Sequence, residues 1–306
     1  MRENSHKPLL ISIVGPTAVG KTAVAIELAQ WLGTEIVSAD SRQFYRELNI
    51  GTAKPSPEEL KTAKHHFINS HSIEQLYSAG EYGRDAVVKI QELHNRYSSV
   101  IAAGGSGLYL KAIWEGFDDM PEMDSSIREK LNVEFESKGL APLLEELRSA
   151  DPEYYARVDR QNGQRVIRAL EVIRGTGAPF SSFRKKTMNQ MPYHQLRIGL
   201  NLAREVLFDR IEQRMDAMID DGLFEEAKQL YQFKDHNALQ TVGYSEIFGY
   251  LNGEYDKEEA IRLLKRNSRR YAKRQLTWFR KFEDIHWFEP GQVEQIKNLI
   301  ARHLPD

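Results

Sequence analysis

The chain opens with an apolar run, Leu9-Leu10-Ile11-Ser12-Ile13-Val14, that breaks at Gly15-Pro16. Apolar side chains on successive rather than alternate positions mark a strand covered on both faces, as in a parallel sheet. From Lys21 to Trp31 the period changes: Val24, Leu28, Trp31 and Leu32 recur at helical spacing, and Gly33 supplies a stop. Glu35-Ile36-Val37-Ser38 reads as a second strand that leads into Asp40. Strand, helix and strand in this order imply a right-handed crossover and an open α/β sheet. Thr52 to Pro57 reads as a loop and Tyr82 to Arg96 as a helix. Ser99-Val100-Ile101-Ala102-Ala103 is a third buried strand, running into Gly104-Gly105-Ser106-Gly107.

Between Asp118 and about Met191 the strand-like runs vanish. Leu131, Phe135, Leu140, Leu143, Leu144 and Leu147 mark short amphipathic helices instead. Arg197 to Leu202 restores a strand, helices follow at Arg204–Asp220, Phe224–Phe233 and Lys257–Arg280, and a last strand lies near Ile285–Phe288. The expected organisation is an α/β core, residues 1–117 and 193–306, interrupted by a helical insertion domain at 118–192.

Composition narrows the function. At 306 residues, 41% hydrophobic and 28% charged, the chain suits a folded protein of about two domains. Having no cysteine excludes a disulfide scaffold, a thiolate zinc site and a cysteine nucleophile, and fits a reducing cytoplasmic location. No apolar stretch approaches the roughly 18 residues of a membrane span, so no membrane partner is expected. The net charge of −2 hides an asymmetry. Arg262 to Lys281 holds nine Lys/Arg and no acid, whereas Asp118 to Asp159 holds twelve acids against five bases. A basic helix of this kind is either a solvated face or a polyanion contact. His65, His66 and His71 have no cysteine companions and read as surface or packing residues rather than metal ligands.

Gly15-Pro16-Thr17-Ala18-Val19-Gly20-Lys21-Thr22 fits G-x-x-x-x-G-K-[ST] between a strand and a helix, the pattern of a phosphate loop. The glycines let backbone N–H groups face an anion at a helix N-terminus. Lys21 reaches the outer phosphate, and the Thr22 hydroxyl is placed to ligate Mg2+. The fold expected is therefore a P-loop NTPase-like open parallel sheet flanked by helices. The third strand ends in Gly-Gly-Ser-Gly, not in the carboxylate that polarises water in a nucleotide hydrolase. The other strand end carries Asp40-Ser41-Arg42-Gln43-Phe44-Tyr45, a cluster suited to gripping an organic substrate. Asp40 is placed as a general base, or else as a helix N-cap or an outer-sphere magnesium ligand. Gln43 and Phe44 are either holders of a flipped base or packing.

Three segments, Gly15–Thr22, Asp40–Tyr45 and Gly104-Gly105-Ser106-Gly107-Leu108-Tyr109, resemble the tRNA dimethylallyltransferase (isopentenyl-tRNA transferase) family. So do Gln164-Arg165-Val166-Ile167-Arg168-Ala169-Leu170-Glu171 and Tyr271-Ala272-Lys273-Arg274-Gln275-Leu276-Thr277-Trp278-Phe279-Arg280. The first motif is widespread, but the five in this order are specific and span nearly the whole chain. The resemblance implies transfer of a dimethylallyl group from dimethylallyl diphosphate to the exocyclic N6 amine of the adenosine just 3′ of the anticodon in tRNA, with diphosphate released and Mg2+ present. It implies that Asp40 is the base, that Lys21, Thr22 and Arg214 act with it, and that Gly15, Pro16, Thr17, Ala18, Val19, Gly20, Lys21 and Thr22 hold the diphosphate. Asp40, Ser41, Arg42, Gln43, Ser106, Arg128, Gln164, Arg165, Val166, Ile167 and Arg168 then become tRNA contacts, to an anticodon stem-loop. Two positions depart from the family: Val19 stands where many members have Ser, and Ser106 where Thr is usual. Eukaryotic members often add a zinc-finger tail, so a chain without cysteine resembles the bacterial type. A monomer is expected. The alternatives are an adenylate isopentenyltransferase, a P-loop small-molecule kinase and an RNA-binding ATPase.

Overall fold

The computed structural model describes residues 7–118, 120–121, 123–184 and 190–304. The chain divides into two compact units, Met1–Gly116 with Gln190–Asp306, and Phe117–Asn189. In the first unit six strands form one parallel sheet: β1 (Leu9–Val14), β2 (Ile36–Ser38), β3 (His65–His66), β4 (Ser99–Gly104), β5 (His194–Leu200) and β6 (Ile285–Phe288). Their order across the sheet is β3-β2-β4-β1-β5-β6. The unbroken apolar run of β1 is explained by its central place, with all six residues buried. β5 begins three residues before the strand expected at Arg197. β3 was not foreseen: its paired histidines carry no β pattern, and they are held because His66 bonds the buried Glu35 at 2.6 Å.

The register brings three strand ends level. Val14 of β1 lies beside Gly104 of β4, and Ala103 lies beside Ser38 of β2. The loops that follow (15–20, 105–106 and 39–43) therefore emerge side by side on one edge, with the glycine loop in the middle. The helix Lys21–Leu32 ends on Gly33 in the left-handed conformation (φ 62°), as expected. Trp31, which the spacing places on the apolar face, is instead 43% exposed. The helices Ala79–His94 and Gly107–Glu115 pack closely, because a Cβ on Gly83 would come within 2.7 Å of the Ala112 methyl. Beneath the 39–45 segment lies an aromatic cluster, Phe44, Tyr45, Tyr77, Tyr82 and Tyr109.

The 117–189 unit is helical among its described residues, with Ser125–Lys138, Ala141–Ala150 and Gly163–Thr176 as its main helices. It has its own core, built on Leu131, Leu143, Leu147, Val166, Ile167 and Leu170. The acidic surplus is partly neutralised within it, since Arg174 pairs with Glu134 and Glu146 at 2.8 and 2.6 Å.

Candidate active site and nucleic-acid interface

The loop after β1 is built for an anion. Gly15 and Gly20 take φ values of 147° and 107°, which side chains disfavour, and Ala18 is held at φ 62°. A non-glycine residue in that region costs of order 1 kcal/mol and persists only where its surroundings fix it. The helix that follows starts at Lys21 with no side-chain cap and no acid in its first turn. Its leading N–H groups, and the positive end of its dipole, are left for a ligand.

Three cations converge on this loop. Lys21 Nζ folds back to donate to the Pro16 carbonyl at 2.7 Å. Arg210 Nη1 donates to the Val19 carbonyl at 3.3 Å, and Arg214 Nη1 to Thr17 Oγ1 at 3.4 Å. Among the described residues, no carboxylate oxygen lies within 4.0 Å of these three cationic groups. Burial of the ammonium, reinforced by Arg214 and opposed by Asp40, lowers the Lys21 pKa to about 8. Burial likewise lowers Arg214, again against the pull of Asp40. Cations gathered at a glycine-rich loop and an uncapped helix N-terminus make a place that could take a diphosphate. A cleft of about 490 Å³, lined in part by Ile50, Pro55, Leu60, Met218 and Arg214, opens beside it.

Asp40 caps a turn rather than the helix N-terminus that one reading expected. Oδ1 caps the turn that follows, accepting from Arg42 N–H at 2.9 Å and Gln43 N–H at 3.3 Å. Among the described residues no donor reaches Oδ2. The neighbouring loop is tied in by Ser106, whose Oγ accepts from Ser41 N–H at 2.9 Å. For Tyr271, from the helix Lys257–Phe279, burial first and then the charge of Asp40 raise the pKa to about 12, with Arg42 and Ser106 acting in the opposite sense.

Several expected contacts are placed differently. Phe44 has no exposed surface and belongs to the aromatic cluster, so it packs and does not hold a base. Gln43 donates from Nε2 to the Thr52 and Ala53 carbonyls at 3.2 and 3.0 Å, which fixes the 52–53 loop and engages the amide. In the 117–189 unit, Val166 and Ile167 are wholly buried in the core, so their side chains present nothing to RNA. Their helix turns Gln164, Arg165 and Arg168 outward instead. Arg128 and Arg168 share one buried carboxylate, Glu171, each at 3.0 Å, and Arg128 also donates to Gln164 at 3.0 Å. Two guanidiniums on one carboxylate leave a net positive group, with Arg165 exposed beside it.

The basic helix is partly paired. Arg262, Lys265 and Arg269 pair with Glu259, Asp216 and Glu212. Among the described residues Arg270, Lys273, Arg274 and Arg280 have no carboxylate partner, and with Thr277 they form one exposed stripe. The opposite, buried stripe contains Ala260, Leu264, Ser268, Ala272, Gln275 and Phe279. Arg210 and Gln275 reach the phosphate loop but carried no role in the sequence reading. Their signal was there in part, since Gln275 is a polar residue on the apolar stripe of an amphipathic helix.

Among the described residues no group of three or more His, Asp or Glu is arranged to hold a metal ion. The Thr22 hydroxyl beside the anion loop instead suits Mg2+ carried in by a diphosphate, which keeps its waters and takes few protein ligands.

A family profile described as IPP transferase matches residues 43–282. The tRNA dimethylallyltransferase of Cytophaga hutchinsonii is 50% identical over 297 residues, covering 97% of this chain and 98% of that protein. That of Christiangramia forsetii is also 50% identical, covering 95% and 96%. Among solved structures, the tRNA isopentenylpyrophosphate transferase of Bacillus halodurans is 40% identical with a TM-score of 0.72, covering 97% of each chain. A eukaryotic dimethylallyltransferase acting on tRNA is 27% identical with a TM-score of 0.79, covering 97% of this chain and 80% of that one. The phosphate loop at the end of β1, the parallel sheet that carries it and these likenesses agree, and the chain belongs to the tRNA dimethylallyltransferase family.

Proposed function

We propose that the protein transfers a dimethylallyl group from dimethylallyl diphosphate to the exocyclic N6 amine of the adenosine immediately 3′ of the anticodon in tRNA, releasing diphosphate. The observation that carries this reading is the pairing of Lys21 and Arg214, cations without a carboxylate partner, with the unengaged Oδ2 of Asp40 nearby. Breaking an allylic C–O bond spreads positive charge over the allyl carbons and gathers negative charge on the leaving oxygens. Loop amides, Lys21 and Arg214 stabilise that leaving charge and are already in place before the reaction. The Thr22 hydroxyl would help hold a Mg2+ ion, which would supply further neutralisation of the leaving oxygens. The adenosine amine is conjugated into its ring and is a poor nucleophile. Asp40 Oδ2 accepts its proton as the N–C bond forms. The base leaves its stack to reach this site, so its neighbours must hold it by shape and hydrogen bonds. Ser41, Arg42 and Ser106 line that side, and the exposed stripe Arg270–Arg280 meets RNA phosphates.

The test is mass spectrometry of tRNA nucleosides after incubation with enzyme, Mg2+ and dimethylallyl diphosphate. Dimethylallyl-adenosine is expected at the one position, with no product from free AMP and no ATP consumption. Asp40→Asn keeps an acceptor for the 42 and 43 amides but loses the base, so kcat is expected to fall by about 10²–10⁴ with RNA affinity retained. Unchanged turnover in this variant would remove Asp40 from the mechanism.

A further inference from the structure

Gln275 lies on the buried face of the long basic helix and reaches two loops at once. Its Oε1 accepts from Thr17 N–H at 2.8 Å, and its Nε2 donates to the Gly105 carbonyl at 2.9 Å. The residue is 7% exposed. Thr17 is the residue before Ala18, the non-glycine residue held at φ 62° in the anion loop. Backbone in such a conformation relaxes unless its neighbours hold it. Gly105 precedes Ser106, which anchors the loop carrying Asp40. Trp278 closes the same face: a Cβ on Gly107 would strike its indole ring. The inner side of this helix thus spans the diphosphate loop and the base loop, while its outer side carries Arg270, Lys273 and Arg274.

We propose that Gln275 is a positioning residue whose amide bridges Thr17 and Gly105, holding the diphosphate cradle in its binding shape and fixing its distance from Asp40. This deepens the transferase reading and rests on it. The bridge touches no substrate, and its effect passes through the orientation of the 15–20 backbone. Loss of the bridge weakens diphosphate binding, while the outer stripe and its RNA affinity stay intact.

Two variants break the bridge from opposite sides. Gln275→Met keeps length and volume but removes both hydrogen bonds. Gly105→Ala places a methyl group where the Gln275 amide nitrogen lies, and what it meets is the far end of a flexible side chain, which moves aside without disturbing the strand. Each is to be measured for inorganic pyrophosphate affinity by calorimetry, for KM and kcat with dimethylallyl diphosphate, and for anticodon stem-loop affinity. Expected for both are a pyrophosphate Kd and a donor KM raised at least tenfold, with stem-loop Kd within twofold of the parent. The double variant is expected to be no worse than either single one, because both break the same bridge. Pyrophosphate binding within twofold of the parent in Gly105→Ala, equal losses of RNA and pyrophosphate affinity, or additive effects would each overturn the proposal. If the parent enzyme binds pyrophosphate but transfers no allyl group to RNA, the transferase reading fails and the bridge is still judged by the pyrophosphate data.

Discussion

Lys21 is a cation kept where charge is costly. Burial and the neighbouring Arg214 hold its pKa near 8, so below about pH 8 the ammonium is present to meet a diphosphate, and above it the amine is neutral. The expected consequence is a basic limb in kcat/KM for dimethylallyl diphosphate, falling as pH rises through about 8. In Lys21→Arg, which stays charged, that limb should vanish, with a lower plateau. A pH–rate series on both enzymes checks this, and an identical limb in the arginine variant would assign it elsewhere. At this scale motif chemistry names Lys21, Thr22 and Asp40 in the sequence directly. Arg210 and Gln275 were harder to read, since each acts through a backbone atom that only the folded loop brings within reach. Val166 and Ile167 show the reverse problem. A contact segment on a helix offers only one of its faces, and helical periodicity placed these two inside.

Among the elements, the edge strand β3 depends on a single hub. Glu35, just before β2, receives His66 and Tyr97 at 2.6 and 3.0 Å and lies 3.3 Å from Lys64 and from Arg96. Burial pushes this carboxyl up, but the hydrogen bonds from His66, Tyr97 and Lys64 outweigh it and hold the pKa at about 2, below the ordinary 4.5. A depressed carboxylate contributes stability that is complete above its unfolded pKa and is lost as pH falls through the folded one. Glu35→Gln is therefore expected to lower stability by about 1–3 kcal/mol at neutral pH and to flatten the acid loss between roughly pH 4.5 and 2. Urea unfolding at several pH values measures both effects. The principal strands, the helix Arg204–Asp220 and the long basic helix were readable from period and caps. The helices Ser245–Leu251 and Val293–Ala301 went unread because short helices rest on tertiary packing rather than on their own pattern. β3 was invisible because its two residues are strand only through their partners.

For the whole molecule, a net charge of −2 says little about what it binds. The positive field is local: Arg262, Lys265 and Arg269 pair with Glu259, Asp216 and Glu212, and of the bases left without a carboxylate among the described residues Arg270, Lys273, Arg274 and Arg280 share the exposed stripe. Anticodon stem-loop affinity should fall linearly with salt on logarithmic axes. Replacing Arg270, Lys273 and Arg274 with alanine should reduce that slope by about 0.7–0.9 for each RNA phosphate no longer neutralised. Filter binding across a salt series checks it, and an unchanged slope would move the RNA to another face. Pyrophosphate binding should be untouched by the triple change.

The connection between β4 and β5 carries the 117–189 unit, and it must pass over β1 in any case, since β1 lies between those two strands. Lengthening a detour the fold already requires is thermodynamically mild, about 0.6 kcal/mol for each doubling of a flexible connection. An accessory module inserted there leaves the three reactive loops on their own strands, with no crossover to redraw. The architecture thus separates two evolutionary problems, letting the insert change in length and sequence while the loops at the strand ends stay under their own constraint.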